Sequence, residues 1–163
     1  MNRRNRSLSF VAAFLTLASH VWLQGLSPWL YPTLAVSFLV WPQLAYLRAR
    51  RSADSMHSEF NNLVIDSIIF GLWIAGLGFP VWITFILAIS ITMNLTVFRG
   101  LPGMVQALTG LAGGIVAGGL FAGFWWQPDT HWLTTLLAIT SISMYLLMVG
   151  HVSFSRNHSL HGA

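Results

Sequence analysis

The sequence of 163 residues contains no cysteine and no lysine, and only 7% of its residues are charged. The absence of cysteine excludes disulfides and thiolate metal sites, and leaves the redox compartment unspecified. A soluble domain normally has about a quarter charged residues. With 55% apolar residues and a mean hydropathy of +0.68, this chain has too few polar groups to cover a water-facing surface. Lipid is therefore expected to surround most of it.

The arginines occupy alternate gaps between six apolar blocks. They fall before the first block and after the second, fourth and sixth: Arg3, Arg4, Arg6, Arg48, Arg50, Arg51, Arg99 and Arg156. Cationic loops are retained on the cytoplasmic side during membrane insertion. The alternation therefore predicts six transmembrane helices with both termini in the cytoplasm.

The apolar blocks also set the predicted fold class. A helix of about 20 apolar residues crosses the hydrocarbon core of a bilayer. We predict an all-α, polytopic integral membrane protein, a bundle of six transmembrane helices at about residues 8–24, 29–47, 61–78, 81–98, 104–124 and 133–152. Pro42 is expected to kink the second helix, because proline lacks the N–H that bonds one turn back. Residues 153–163 form a polar cytoplasmic tail, expected to lead to an effector domain absent from this sequence.

A polar cluster marks the start of the third predicted helix. Glu59, Asn62 and Asp66 are spaced three and four residues apart, which places them on one helical face. Asp66 lies one to two turns inside the apolar block, where an ionisable group indicates a functional site unless it is paired. Three interpretations stay open: a structural clamp, a signal relay, and a ligand or ion site. Candidate partners at the same depth come from three other helices: Arg48, Asn94, Arg99 and His151.

A glycine ladder runs through the fifth predicted helix. Gly110, Gly114 and Gly118 recur every fourth residue, with Gly119 and Gly123 on an adjacent stripe. Small residues at this spacing let helix backbones approach closely in lipid. The ladder predicts close packing, either against another helix of the same chain or along a homodimer seam.

The remaining polar residues argue against several functional classes. The histidines do not form a mid-membrane pair that suggests a b-type haem, and no spacing within a helix supports a metal site. We predict no cofactor and no metal. No arrangement of nucleophile, base and acid suggests catalysis by this chain. Arginines confined to one face favour anionic lipid head groups as partners and disfavour nucleic acid.

Short motifs along nearly the whole chain support a family resemblance. They are Arg-Arg-x-Arg at 3–6, Trp-Pro-Gln-Leu-Ala-Tyr at 41–46, Arg-Ser-Ala-Asp at 51–54, Glu-Phe-Asn-Asn-Leu at 59–63 leading to Asp66, Gly-Leu-Trp at 71–73 and Met-Asn-Leu at 93–95. With these motifs the chain resembles the second type of membrane-associated sensor domain of the MASE family. That family consists of six-helix modules that precede diguanylate cyclase or class III adenylate cyclase domains in bacterial proteins.

The resemblance implies a function for the chain as a membrane module. It implies an anchor and sensor in the bacterial cytoplasmic membrane, without enzymatic activity of its own, that holds downstream cyclase domains as a homodimer. The polar cluster and Arg99 would then set the geometry at the cytoplasmic end, beside His151 on the sixth helix. A passive anchor without a sensing role stays open. So do two functions of different classes, namely a small transporter or channel and a haem or quinone redox protein.

Overall fold

The described residues form a bundle of six helices. The structure, a computed structural model, describes the backbone of residues 3–161 and the side chains of residues 6–154, and it contains no strand among them. In chain order the helices are α1 (Arg3–Leu23), α2 (Leu30–Arg51), α3 (Ser55–Gly76), α4 (Val81–Arg99), α5 (Leu101–Ala122) and α6 (Trp132–His161). The predicted all-α membrane fold is confirmed.

Five of the six described helices are long and apolar enough to cross a membrane, judged by length and composition. The exception is α3, because strongly polar side chains interrupt its apolar sequence: Glu59, Asn61, Asn62 and Asp66. It is instead the central helix of the bundle, with 11 of its 22 residues buried. Neighbouring helices therefore cover the polar groups that lipid would not tolerate.

Several helices are longer than the apolar stretches that predicted them. α1 already begins at Arg3, and α3 at Ser55. α6 continues past the predicted start of the tail to His161. Residues 153–161 contain neither proline nor glycine, so nothing in that segment ends the helix. Residues 162–163 of the predicted tail lie outside the described part of the chain.

Helix α2 changes its winding before Pro42. Its α-helical segments Leu30–Ala35 and Trp41–Arg51 flank a π-helical turn at Val36–Val40, and the Trp41 N–H bonds to the Val36 carbonyl. A π-turn of this kind lets a helix absorb an interrupted hydrogen-bond ladder. The irregularity that proline imposes is thus a local widening of the helix, directly before Trp41.

The described arginines gather at one end of the bundle. α1 and α3 start there and α2 and α4 finish there, which brings together Arg6, Arg48, Arg50, Arg51 and Arg99. We call this the arginine end. The side chains of Arg3, Arg4 and Arg156 lie outside the described residues. At the opposite end, the turn between α3 and α4 is pinned to the loop before α6, since the Gln127 N–H donates to the Gly78 carbonyl at 2.8 Å.

The most extensive helix contact joins α3 and α5. Small residues recur at every fourth position on both helices: Ser67, Gly71 and Ala75 on α3, and Gly110, Gly114 and Gly118 on α5. A Cβ placed on Gly114 would lie 3.0 Å from the Cα of Gly71, and closer still to the Ile68 carbonyl. The ladder therefore packs against α3 of the same chain, which leaves it unavailable as a homodimer seam.

The other two glycines of the predicted stripe serve local purposes. A Cβ on Gly119 would first meet the ring of Phe124, so this glycine makes room for the loop that follows α5. Gly123 has φ +75° and ends the helix. A positive φ of this size is the conformation in which glycine commonly caps helices. Gly119 and Gly123 thus shape the end of α5.

Candidate functional site at the arginine end

Asp66 is buried and paired. Its side chain is 2% exposed, and its two carboxylate oxygens accept hydrogen bonds from separate helices. Arg6 of α1 donates from Nη2 to Oδ2 at 2.7 Å, and Trp41 of α2 donates from Nε1 to Oδ1 at 2.7 Å. A buried carboxylate needs this kind of compensation, because isolated charges are costly away from water. Asp66 thus ties α1, α2 and α3 together.

The partner of Asp66 differs from the expectation. The ion pair forms with Arg6, which was not among the predicted partners Arg48, Asn94, Arg99 and His151, and that expectation is corrected. The physical reason is the length of α1. Because it begins at Arg3, Arg6 lies within the helix and reaches inward, with 10% of its side chain exposed.

The predicted partners lie elsewhere at the arginine end. Arg48 is exposed and lines a shallow groove with Asp54 and His57. Arg99 stacks its guanidinium over the Phe60 ring, with 4.6 Å from Cζ to the ring centroid. His151 is exposed on α6.

Asn94 has a partner that the sequence did not indicate. The Tyr145 hydroxyl lies 2.9 Å from Asn94 Oδ1 and 2.9 Å from the Ser90 carbonyl, so its single hydrogen can be donated to either. Tyr145 is the one tyrosine of α6 and is 5% exposed. A lone tyrosine within an apolar span is the signal that could have identified it, because a buried hydroxyl needs a partner. It joins α6 to α4.

The other two members of the cluster lie above Asp66 on the same face of α3. Asn62 is 1% exposed and donates from Nδ2 to the Ala45 carbonyl of α2 at 2.8 Å. Its Oδ1 has no partner within the described part of the chain. Glu59 is half-buried and lies one turn closer to the arginine end. The shared face predicted from the spacing is present.

A cavity of about 500 Å³ lies beside this face and extends to the arginine end. Five helices line it: α1 with Arg6 and Ser9; α2 with Ala45, Tyr46 and Ala49; α3 with Ser55, Met56, Glu59, Asn62 and Leu63; α4 with Asn94, Val97 and Phe98; and α6 with Tyr145, Met148, Val149, Val152 and Ser153. Below it, a small pocket of about 50 Å³ shares Ser9, Asn94 and Tyr145 and reaches Asp66.

The cavity separates α3 from the end of α6. These two helices make little direct contact, whereas α6 packs on α1 and α4. Small-molecule sites typically have volumes of roughly 300–1,000 Å³ and combine apolar walls with a few polar groups. Among the residues with described side chains, no three histidine, aspartate or glutamate groups come together to hold a metal ion. The arrangement is suited to binding a small molecule between the polar cluster and α6.

Comparisons with known proteins identify the family. A family model described as the MASE2 domain matches residues 2–89, from the start of α1 into α4. The chain is also 26% identical over 156 residues to a protein named "Probable diguanylate cyclase DgcC" in Escherichia coli K12, and equally so to its counterpart in Escherichia coli O6:H1.

The alignment covers 93% of this chain and 41% of each relative, so the chain spans about two fifths of the length of the curated relatives it matches. No solved structure shows a significant match. The family match confirms the resemblance inferred from the motifs.

Proposed function

The chain belongs to the MASE2 domain family, and we propose that it is the membrane sensor module of a bacterial cyclase that produces a nucleotide second messenger. The relatives are named as diguanylate cyclases and are more than twice as long as this chain. We therefore propose a diguanylate cyclase domain, rather than an adenylate cyclase domain, as the downstream partner. The bilayer is the other partner.

The proposed orientation places the arginine end in the cytoplasm of the bacterial inner membrane. The concentration of arginines at one end of the bundle supports it. Both termini are then cytoplasmic, and α6 delivers the chain to a catalytic domain. A reporter enzyme attached after Ala163 is expected to be active only if it is a cytoplasmic one. Activity of a periplasmic reporter at this position would contradict the orientation.

The module is proposed to act as a homodimer. Cyclases of the kinds implied by the family form their active site between two catalytic domains, so a monomeric anchor would leave them inactive. The glycine ladder faces α3 inside the protomer. The dimer contact is therefore proposed to use a different surface.

Signal relay is proposed to run through the arginine-end cavity to α6. The observation that carries this proposal is that α6 lines the cavity with Met148, Val149 and Val152, opposite the polar face of α3. A ligand shifts an equilibrium only by its differential affinity for two states. Occupancy that favours a wider cavity would move the end of α6 away from α3 and alter how the catalytic domains pair.

The relay is tested in a fusion of the full chain to a diguanylate cyclase domain after Ala163. Asp66→Asn removes the charge that holds Arg6, and Asp129→Asn makes the same change at an exposed position in the loop before α6. Cyclic dinucleotide output and the crosslinked dimer fraction are both measured. A relay predicts altered output per dimer in Asp66→Asn alone.

A passive anchor gives a different result in the same experiment. Output would then change only in proportion to the amount of dimer in the membrane, and output per dimer would be equal in both variants and in the parent fusion. That result would contradict the relay and leave the passive anchor as the remaining interpretation. Unchanged output together with an unchanged dimer fraction in Asp66→Asn would also reject the relay.

A further inference from the structure

We propose that the arginine-end cavity binds an uncharged lipophile whose single compact head, such as a hydroxyl or an undissociated carboxyl group, both accepts and donates a hydrogen bond. This inference rests on the proposed function and names the chemical class of the signal. It follows from two buried polar atoms, from the compensated charges around them and from the apolar walls of the cavity.

The head group is specified by one donor and one acceptor. Arg6 Nε and Asn62 Oδ1 are buried and have no hydrogen-bond partner within the described part of the chain, and both residues line the cavity. The two residues are 9% and 1% exposed. Buried polar groups are nearly always hydrogen-bonded, so each such atom in a folded protein requires a partner. A head that accepts from Arg6 Nε and donates to Asn62 Oδ1 would satisfy both, once small side-chain rotations turn these buried atoms toward the cavity.

The charges of the site favour a neutral head. The positive charge of Arg6 is already compensated by Asp66 at 2.7 Å. Glu59, the other charged residue lining the cavity, has an interaction of its own. An anionic head would meet a neutralised guanidinium and the Glu59 carboxylate. A cationic head would lie beside the Arg6 guanidinium, and Glu59 already has an interaction of its own, so the neutral amide oxygen of Asn62 alone would do too little to offset the desolvation of the cation.

The body of the ligand is specified by the walls. Met56, Leu63, Phe98 and Met148 supply apolar surface, and methionine side chains adapt to ligands of differing shape. Val97 lines the cavity and is 50% exposed, near the end of a helix that is apolar enough to cross a membrane. The cavity therefore borders the region occupied by lipid, from which a lipophile can enter without crossing water.

The test is photolabelling of the full chain in phosphatidylcholine nanodiscs. The probe is a ten-carbon primary alcohol with a diazirine on its chain, and labelled peptides are identified by mass spectrometry. We expect labels on α3 near Met56 and Leu63 and on α6 near Met148. Excess unlabelled alcohol is expected to remove them, whereas labels on lipid-facing residues persist because the bilayer does not saturate.

A matched pair of variants locates the site on α6. Val149→Trp places a large ring in the cavity, and Leu147→Trp makes the same addition at a position that is 75% exposed. Val149→Trp is expected to reduce the competable labelling, meaning the labelling that excess unlabelled alcohol removes, by about tenfold or more. A tenfold change corresponds to ~1.4 kcal/mol of binding free energy. Leu147→Trp is expected to label like the parent chain.

The head group is tested on the unmodified chain, so this arm does not depend on the folding of a variant. Diazirine probes with the same chain carry no head, a sulfate or a trimethylammonium group. Competable labelling about tenfold stronger for the alcohol supports the proposal. Equal labelling by the headless probe, stronger labelling by either charged probe, or equal labelling of Val149→Trp would overturn it.

The inference and the proposed function fail in distinguishable ways. Absence of competable labelling, with output per dimer still altered in the Asp66→Asn fusion, rejects the ligand and leaves the relay. Competable labelling that follows the predicted pattern, in a fusion whose output per dimer does not respond to Asp66→Asn or to the alcohol, confirms the site and rejects the relay.

Discussion

The two sides of α3 differ in how they meet their neighbours. Toward α5, the backbones approach so closely that a Cβ on Gly114 would lie 3.0 Å from the Cα of Gly71. Toward α6, the same helix borders a cavity of about 500 Å³ lined by polar and apolar side chains. Close-packed surfaces resist deformation, whereas a cavity leaves room for two arrangements. We therefore expect α3 and α5 to form a rigid frame and α6 to be the element with freedom to move.

The largest loss of stability is expected from substituting Asp66 in the polar cluster. Asp66→Leu leaves Arg6 buried without a counter-charge, which is expected to destabilise the bundle by about 3–5 kcal/mol. The measurement is reversible unfolding of the full chain in mixed micelles. Asp129→Leu, at an exposed loop position, is the control and should change little.

A double variant sharpens the same prediction. Arg6→Met combined with Asp66→Leu removes both charges and should recover most of the lost stability, because a buried ion pair is often replaceable by apolar groups. If the double variant is as unstable as Asp66→Leu alone, the loss does not arise from an unpaired arginine, and the assigned ion pair would be rejected.

The next largest effect on stability is expected on the side of α3 that packs closely against α5. Gly114→Ala forces a Cβ against the backbone of α3, and overpacking of this kind costs about 1–3 kcal/mol. Gly113→Ala is a matched control one residue away, since a Cβ there meets nothing within 4 Å. That control is expected to be neutral or stabilising by about 0.5–1 kcal/mol, because alanine favours the helix. Equal effects of the two substitutions would contradict the assigned helix contact.

A smaller effect is expected where α6 is tied to the frame. Tyr145→Phe removes the hydrogen bond that the hydroxyl donates to Ser90 or Asn94, a loss of about 0.5–1.5 kcal/mol. Hydrogen exchange should become faster in the amides of α6 and stay unchanged in α5. Tyr31→Phe, at a half-buried position near the opposite end, is the control. Faster exchange in α5 as well would contradict a rigid α3 and α5 frame.

The smallest effect on stability is expected at the exposed edge of the arginine end. Arg99→Gln removes the cation–π contact with Phe60, which contributes about 0.5–1 kcal/mol at an exposed site. Arg51→Gln removes an exposed arginine at the end of α2 and serves as the comparison. A loss for Arg99→Gln comparable to that of Asp66→Leu would show that the cluster extends to Arg99, as the sequence had suggested.

Much of the bundle could be predicted because it depends on local patterns. Long apolar stretches and alternating arginines indicated the helices, and the motifs from Trp41 to Asp66 indicated the family. The ends of α1, α3 and α6 were predicted less well, because these helices continue beyond their apolar stretches into polar residues. Asp66 stood out from the sequence since few charged residues lie inside apolar segments.

The contacts of the site could not be predicted in the same way. A spacing of three or four residues places side chains on one face, but the direction of that face depends on how the helix is rotated in the bundle. Arg6 lay before the first apolar block, so its inward position became evident only with α1 in place. Trp41 reaches Asp66 from a helix whose winding changes at the preceding π-turn.

By itself the sequence determined the helical membrane character, the family, the shared face of Glu59, Asn62 and Asp66, and the presence of a close-packing ladder. Only the tertiary structure decided that the ladder faces α3, that Arg6 and Trp41 hold Asp66, and that a cavity lies between α3 and α6. The physical reason is that composition and periodicity act within one helix. Partners and cavities depend instead on how all six helices pack against one another.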